Sequence, residues 1–481
     1  MVKRGSQSLG FMGSAHDTLA TFTPYKSSFA GSNAFMLGVD MDSGKAFGYD
    51  PIGWMHEGRI DSKVQCNLAK KNHGKTSLMI AIMMLYALYD LGGEDARITV
   101  DDIRRNFSMG EYVKIAEKVF GSVPVKFDDP INNFDPAFGF TMSENLETAV
   151  EMLMHANNHR IPSVEEIFTL QIAVAMMFEE YAFTASPETL TRILFGIEEA
   201  DIVKYMDVNL NSTILDKIKT KTLATAQSDS NEAQASVPTR ELTVEEKSKL
   251  QALLNKPMNI LPDEIISTGA RLGMSFMRLL KGDFGNRFGG DISLAERMQQ
   301  DFVLMDYSGM NNKTVALMQS LFWRIKMSAM KRMDRRYMFH LEGHDENYKF
   351  WNYLPYAEAM SEYLKQIRAY ETLVIMNTHR LRDYYSVGSE NSRERQLATN
   401  MFGDVGFWFI GKLNSRDAQD VKTLLNLEQN EAERFLTLTT GQWGVKLGDD
   451  PVVFVDTTAG YTELMEYLTR SNMANENLLP V

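Results

Sequence analysis

The residues whose types and spacing could do chemistry are Ala69-Lys70-Lys71-Asn72-His73-Gly74-Lys75-Thr76. They stand one residue from the phosphate-loop pattern GxxxxGK[ST], with alanine in place of the first glycine. The chemistry would be the holding of a phosphate chain. The first N–H groups of a helix lack partners within it, and the helix dipole adds partial positive charge at that end. Gly74 lets the backbone come close, Lys75 would neutralise the β- and γ-phosphates, and Thr76 would place a hydroxyl on Mg²⁺. Lys71, Asn72, His73 and Ser77 complete the expected cradle. Asn72 tolerates a left-handed backbone better than most residues. Ala69 is the difficulty: if a positive φ were needed there, alanine would cost about 1 kcal/mol.

Such a loop needs a strand before it and a helix after it. Residues 63–68 are a half-apolar run fit for a strand. Residues 75–89 are almost wholly apolar and made of good helix formers. Leu91-Gly92-Gly93 ends that helix, and 97–102 reads as a short buried strand. Strand, helix and strand at this spacing form a βαβ unit and imply a parallel sheet. Upstream, 35–40 and 45–50 pattern as a hairpin around a small turn. Downstream come a helix from 111 and a strand at 123–127. From 143 to 285 the periodicity becomes helical (143–157, 163–185, 187–195, 197–207, 243–254 and 262–280), interrupted by a polar loop at 224–240. Strand signals return at 301–306, 335–342, 372–377 and 405–410, with short ones near Gln442 and Val452, and helices lie between them near 312–330 and 353–369. The fold class expected is α/β: a core in two parts, 1–142 and 286–481, with an all-helical domain inserted at 143–285.

Composition narrows the function. The 481 residues are 44% hydrophobic, enough for a sizeable core, and carry a net charge of −13, which argues against a protein that coats nucleic acid nonspecifically. The single cysteine, Cys66, excludes an internal disulfide. The N-terminus has no signal-peptide pattern, and the longest apolar stretch is too short to span a bilayer. Membrane association is therefore expected through partners.

A phosphate loop needs a second strand ending in a carboxylate, for Mg²⁺ and for the attacking water. Asp306 and Glu342 both end apolar runs, and spacing alone does not choose between them. The order of motifs resembles the C-terminal ATPase half of the VirB-four-like (TraC-like) motor proteins of type IV secretion and conjugation. Leu37-Gly38-Val39-Asp40 resembles that family's entry hairpin, and Val100-Asp101 with Gly110-Glu111-Tyr112 its "Asp…Gly-Glu-Tyr" segment. Asn132-Asn133-Phe134-Asp135 is similar to its "Asn-Pro-Phe-Asp" turn. Leu341-Glu342-Gly343-His344 falls where the family has Asp-Glu-Ala-His, and Asn377-Thr378-His379 falls on its Thr-Gln sensor.

The resemblance implies a RecA-like core that binds ATP and Mg²⁺. Glu342 becomes the catalytic carboxylate, His379 the γ-phosphate sensor, and Arg368 the arginine that completes a neighbouring subunit's site, with Arg380 and Arg382 as alternatives. Leu341 then replaces the metal-supporting aspartate. Mg²⁺ is left to Thr76, phosphates and water, or to Asp306 or Asp345. Ala69, Leu341 and His379 together imply slow hydrolysis. The implied assembly is a ring, a hexamer, on the cytoplasmic face of the inner membrane. It would be held there by secretion-channel subunits, with a separate polypeptide supplying the family's N-terminal half. Three functions stay open: an ATPase powering a conjugative channel, a hydrolysis-deficient nucleotide-binding scaffold, and a DNA-translocating motor.

Overall fold

The computed structural model describes residues 35–88, 97–102, 111–118, 120–126, 132–136, 140–157, 160, 162–205, 262–282, 302–307, 314–316, 318–319, 322–323, 340–367 and 372–458. The expected loop at 224–240, the helix at 243–254 and Arg368 lie outside the described residues. The chain divides into two compact units, Met1–Lys126 with Glu296–Val481, and Phe127–Ala295.

The first unit is built on one eleven-stranded sheet. Its strands are β1 (Phe35–Asp40), β2 (Ala46–Tyr49), β3 (Val64–Leu68), β4 (Arg97–Asp102), β5 (Val125–Lys126), β6 (Phe302–Asp306), β7 (His340–Asp345), β8 (Thr372–Thr378), β9 (Phe407–Ile410), β10 (Gln442–Leu447) and β11 (Val453–Asp456). The order is β2-β1-β11-β10-β9-β3-β8-β7-β4-β6-β5. From β9 to β5 every pairing is parallel, and from β9 to β2 every pairing is antiparallel. The expected hairpin at 35–50 is present and extends the sheet edge by pairing β1 with β11.

In chain order the helices are α1 (Pro51–His56), α2 (Lys75–Leu88), α3 (Glu111–Lys118), α4 (Met142–Ala156), α5 (Val164–Glu180), α6 (Pro187–Phe195), α7 (Glu199–Tyr205), α8 (Pro262–Lys281) and α9 (Leu354–Gln366), with four more after β8; α1 to α3, α9 and those four belong to the first unit. The helix after the phosphate loop, α2, is apolar all round because it is buried nearly all round; Met79, Ile80, Ile82 and Met83 are fully buried. It lies hard against β7. A Cβ on Gly343 would sit 2.4 Å from Met83 Cε and 2.8 Å from Met79 Sδ, so the bare backbone is what lets helix and strand meet.

Under α2 a polar chain crosses the core. Tyr49 Oη donates to Gln65 Oε1 (2.5 Å), Gln65 Nε2 to Asn67 Oδ1 (2.6 Å), and Asn67 Nδ2 to Asn377 Oδ1 (2.9 Å). All four residues are fully buried. Buried polar groups are tolerated when they satisfy one another, and these tie the hairpin, β3 and β8 in one register.

The second unit holds α4 to α8. Its helices begin where side chains take up orphan backbone donors. The Thr141 hydroxyl accepts from Glu144 N, and Glu144 Oε2 accepts from Thr141 N; Ser163 and Glu166 repeat the device. The turn at Asn132 belongs to this unit, since Asn132 Nδ2 donates to the Ala185 carbonyl at 2.7 Å.

Gly406, which leads into β9, gives a test of the sheet. A Cβ there would meet the Ser62 carbonyl oxygen at 1.9 Å, while one on Gly403 would meet nothing within 4 Å. Gly406→Ala should lower stability by about 1–3 kcal/mol or more, and Gly403→Ala should leave it nearly unchanged, as read by urea denaturation.

Candidate nucleotide site

The strand order decides what can meet. β8 lies between β3, which feeds the loop, and β7. All three are parallel, so their ends share one edge, with Leu68 opposite Thr378 and Asp345 opposite Asn377. The loop is pinned on both flanks. Ala69 N donates to Thr378 O (3.4 Å), and Lys70 N donates to Lys412 O (3.1 Å).

Asn72 takes the left-handed conformation at φ 62° and Gly74 has φ 84°. Ala69 does not. Among the described residues the positive-φ positions other than glycine are Asn72, Glu346 and Asn426. The strain feared for alanine is therefore absent. Its methyl is fully buried and fits because its neighbour is glycine: a Cβ on Gly411 would come within 2.8 Å of the Ala69 Cβ.

Lys75 is buried at 6% exposure. Its ammonium donates to the carbonyls of Ala69 (2.8 Å) and Lys70 (3.0 Å) and to His379 Nδ1 (2.8 Å). Three N–H groups meet three acceptors. Burial pulls its pKa down to about 8, against the opposing pull of the Asp345 and Glu346 carboxylates.

Thr76 Oγ1 donates to Asp345 Oδ2 at 3.0 Å, and the buried Tyr112 hydroxyl donates to the same oxygen at 3.2 Å. Glu346 follows in the left-handed conformation, just past the strand end. Its Oε1 accepts from His379 Nε2 at 3.2 Å, and its other oxygen pairs with Lys349. The hydrogen bond from His379, then the hydrogen bond and charge of Lys349, hold the Glu346 carboxyl at about 2, although burial opposes them.

Lys75, Thr76 and His379 thus come together with Gly74 and Asn72. The exposed Lys71, His73, whose Nδ1 lies 3.2 Å from the Lys71 carbonyl, and Ser77 complete the loop and first turn. Three expectations need correction. Glu342 is not beside the loop. Side chains alternate along a strand, so Leu341, Gly343 and Asp345 face α2 while Glu342 and His344 face the other side. There Glu342 is 1% exposed, accepts from the Tyr363 hydroxyl at 2.5 Å and lies 3.5 Å from His344 Nε2. Leu341 is a fully buried mid-strand residue, not a stand-in for a metal-supporting aspartate. Asp306 is not the partner of Thr76 either. Asp102 stands in register with Asp345 on one side and Asp306 on the other, so Asp306 lies two strands out, roughly 10 Å from Asp345.

At the strand end Asp345 stood only as an alternative for Mg²⁺ and Glu346 was missed, because β7 carries His, Glu, Gly and His and does not look like a buried strand. The consecutive Asp-Glu was the available signal. Of the candidate arginines, Arg382 pairs with Asp420 at 2.6 Å and Arg380 is exposed.

The residues fit a Mg²⁺-bound triphosphate: a helix start with a permissive backbone, a buried ammonium at its mouth, and a hydroxyl and carboxylate 3.0 Å apart beside it. Sheet order and site together define a RecA-like P-loop fold with a helical insertion between β5 and β6. Among solved structures, the chain is similar to VirB4 of Thermoanaerobacter pseudethanolicus, with 15% identity and a TM-score of 0.58 over 91% of this chain and 100% of that one. The plasmid coupling protein TrwB in complex with ADP and Mg²⁺ aligns more loosely, at 10% identity and a TM-score of 0.47 over 90% of this chain and 96% of that one. No protein-family profile and no curated protein matches the sequence.

The held Glu346 carboxyl has a consequence in acid. From the usual glutamate value of 4.5 down to about 2, the unfolded chain takes a proton that the folded chain refuses. Stability present above that window is lost as pH falls through it. Acid denaturation followed by circular dichroism should fall less steeply between pH 4.5 and 2 for Glu346→Gln than for the parent.

Proposed function

We propose that the chain is an ATPase, that Asp345 and Glu346 take the roles first given to Asp306 and Glu342, and that it powers a conjugative type IV secretion apparatus. The observation that carries the reading is the meeting of Lys75, Thr76, Asp345, Glu346 and His379 at one sheet edge. ATP is the substrate. The loop N–H groups and Lys75 hold its phosphates. Thr76 and Asp345 would hold Mg²⁺, which would supply charge neutralisation to the phosphates. Glu346 orients the attacking water, and His379 faces the γ-phosphate.

The secretion role is supported by the motif order described above together with the likeness of fold to a VirB4. On this reading the chain works as a hexameric ring, with an arginine such as Arg368 or Arg380 completing the neighbour's site. It stands at the cytoplasmic face of the inner membrane on channel subunits and meets DNA only transiently. Among the described residues no helix is long and apolar enough to cross a membrane.

A second reading, a nucleotide-binding scaffold with slow or no turnover, draws support from one observation. Glu346 is engaged by both His379 and Lys349, and a carboxylate so strongly held is a weak base. Ala69 and Leu341 no longer argue for it.

Turnover measured across protein concentrations separates these readings. We expect Lys75→Ala to abolish turnover. We expect Glu346→Gln to lower kcat by about 10²-fold or more while ATP still raises Tm. Glu342→Gln should lower stability yet keep turnover within a few-fold. Loss of turnover in Glu342→Gln but not in Glu346→Gln would refute the assignment. Binding without turnover at every concentration would favour the scaffold, and DNA stimulation that weakens steeply with salt would favour a translocating motor.

A further inference from the structure

His379 links the loop lysine to the strand-end glutamate, and its partners fix its proton. Lys75 has only donors, so Nδ1, 2.8 Å from Nζ, must accept with its lone pair. At the other end of the ring the Glu346 carboxylate accepts at 3.2 Å, so Nε2 carries the hydrogen. One tautomer, with its hydrogen on Nε2, meets both contacts. The His379 side chain is 20% exposed, so solvent can supply a proton.

A phosphate chain at this loop asks Lys75 to leave. All three of its N–H groups are already engaged by Ala69 O, Lys70 O and His379 Nδ1. A donor turned toward phosphate is a donor withdrawn from one of them. The carbonyls belong to the loop itself; His379 is the partner that stands where the terminal phosphate would arrive. With Lys75 gone, the Nδ1 lone pair would face anionic oxygens, acceptor against acceptor. One proton on Nδ1 turns that repulsion into a charge-assisted hydrogen bond.

We propose, resting on the nucleotide reading above, that triphosphate binding at this loop is proton-coupled: Lys75 passes from His379 to the phosphates, and His379 takes one proton from solvent at Nδ1 to face them as a donor. No other bond forms or breaks. Lys75 from α2, Glu346 at the end of β7 and Asp383 beyond β8 face the ring; Asp345 acts on Lys75, Lys349 on Glu346, and Arg380 and Asp417 on Asp383. An added polyphosphate brings further negative charge to the ring and favours the imidazolium.

The test is isothermal titration calorimetry of the full chain with Mg²⁺ and the non-hydrolysable β,γ-imido analogue of ATP near pH 7, in two buffers of different ionisation enthalpy. The parent should take up more protons than His379→Gln, by a difference approaching one per site. Its Kd should rise with pH by up to about tenfold per unit, while that of His379→Gln stays flatter. Protons exchanged by the analogue are common to both chains and cancel. His379→Asn serves as a second non-titrating variant if His379→Gln does not fold. Tight binding by the parent with no excess uptake, or equal uptake in the variants, overturns the inference and leaves the nucleotide reading standing. Absence of binding by the parent sinks both.

Discussion

A buried ammonium has to find three acceptors, and much of this sheet edge is arranged around that requirement. Lys75 sits at the first turn of a helix too apolar to leave the core, so its amine cannot turn to water for relief. Two acceptors come from its own loop, and the third comes from the end of β8. That third contact exists only because β8 is threaded between the loop strand and the carboxylate strand. Had β7 lain directly beside β3, a carboxylate would occupy that position. The lysine would then be locked in an ion pair that a phosphate could displace only at greater cost. An imidazole nitrogen instead accepts from the ammonium at 2.8 Å.

The same threading explains the spacing of the acids. Asp345 reaches Thr76 from the strand end, and Glu346 steps past the end in a left-handed conformation toward His379. One carboxylate is thereby given to the hydroxyl and the other to the imidazole. Tyr112 adds a second donor to Asp345 from a helix between β4 and β5. Three segments far apart in the chain thus converge on one aspartate oxygen or its neighbour.

The sequence made the loop, its helix, the βαβ unit, the hairpin and the helical insertion legible, because each depends on local periodicity or on glycine placement. It misled at β7. A strand buried on both faces usually reads as a continuous apolar run, whereas His340-Leu341-Glu342-Gly343-His344-Asp345 buries several polar side chains. One oxygen of Glu342 accepts from Tyr363, and Gly343 makes room for Met79 and Met83. Those contacts come from α9 and α2, so nothing within the strand announces them. Ala69 misled in the opposite direction. Read alone it breaks a pattern, yet Gly411, more than three hundred residues away, supplies the missing space.

The amide chain below α2 bears on how the molecule is made. Asn67 meets its acceptor on Asn377, 310 positions later, and Lys75 meets His379 after 304. Contacts of such long separation form late. During synthesis, the early half of the core emerges with its amides and its ammonium unanswered, and it must wait for β8 before either can be sequestered from water. The contacts of this sheet edge are therefore among the last features a newly made chain acquires, and a chain cut short before β8 would never acquire them.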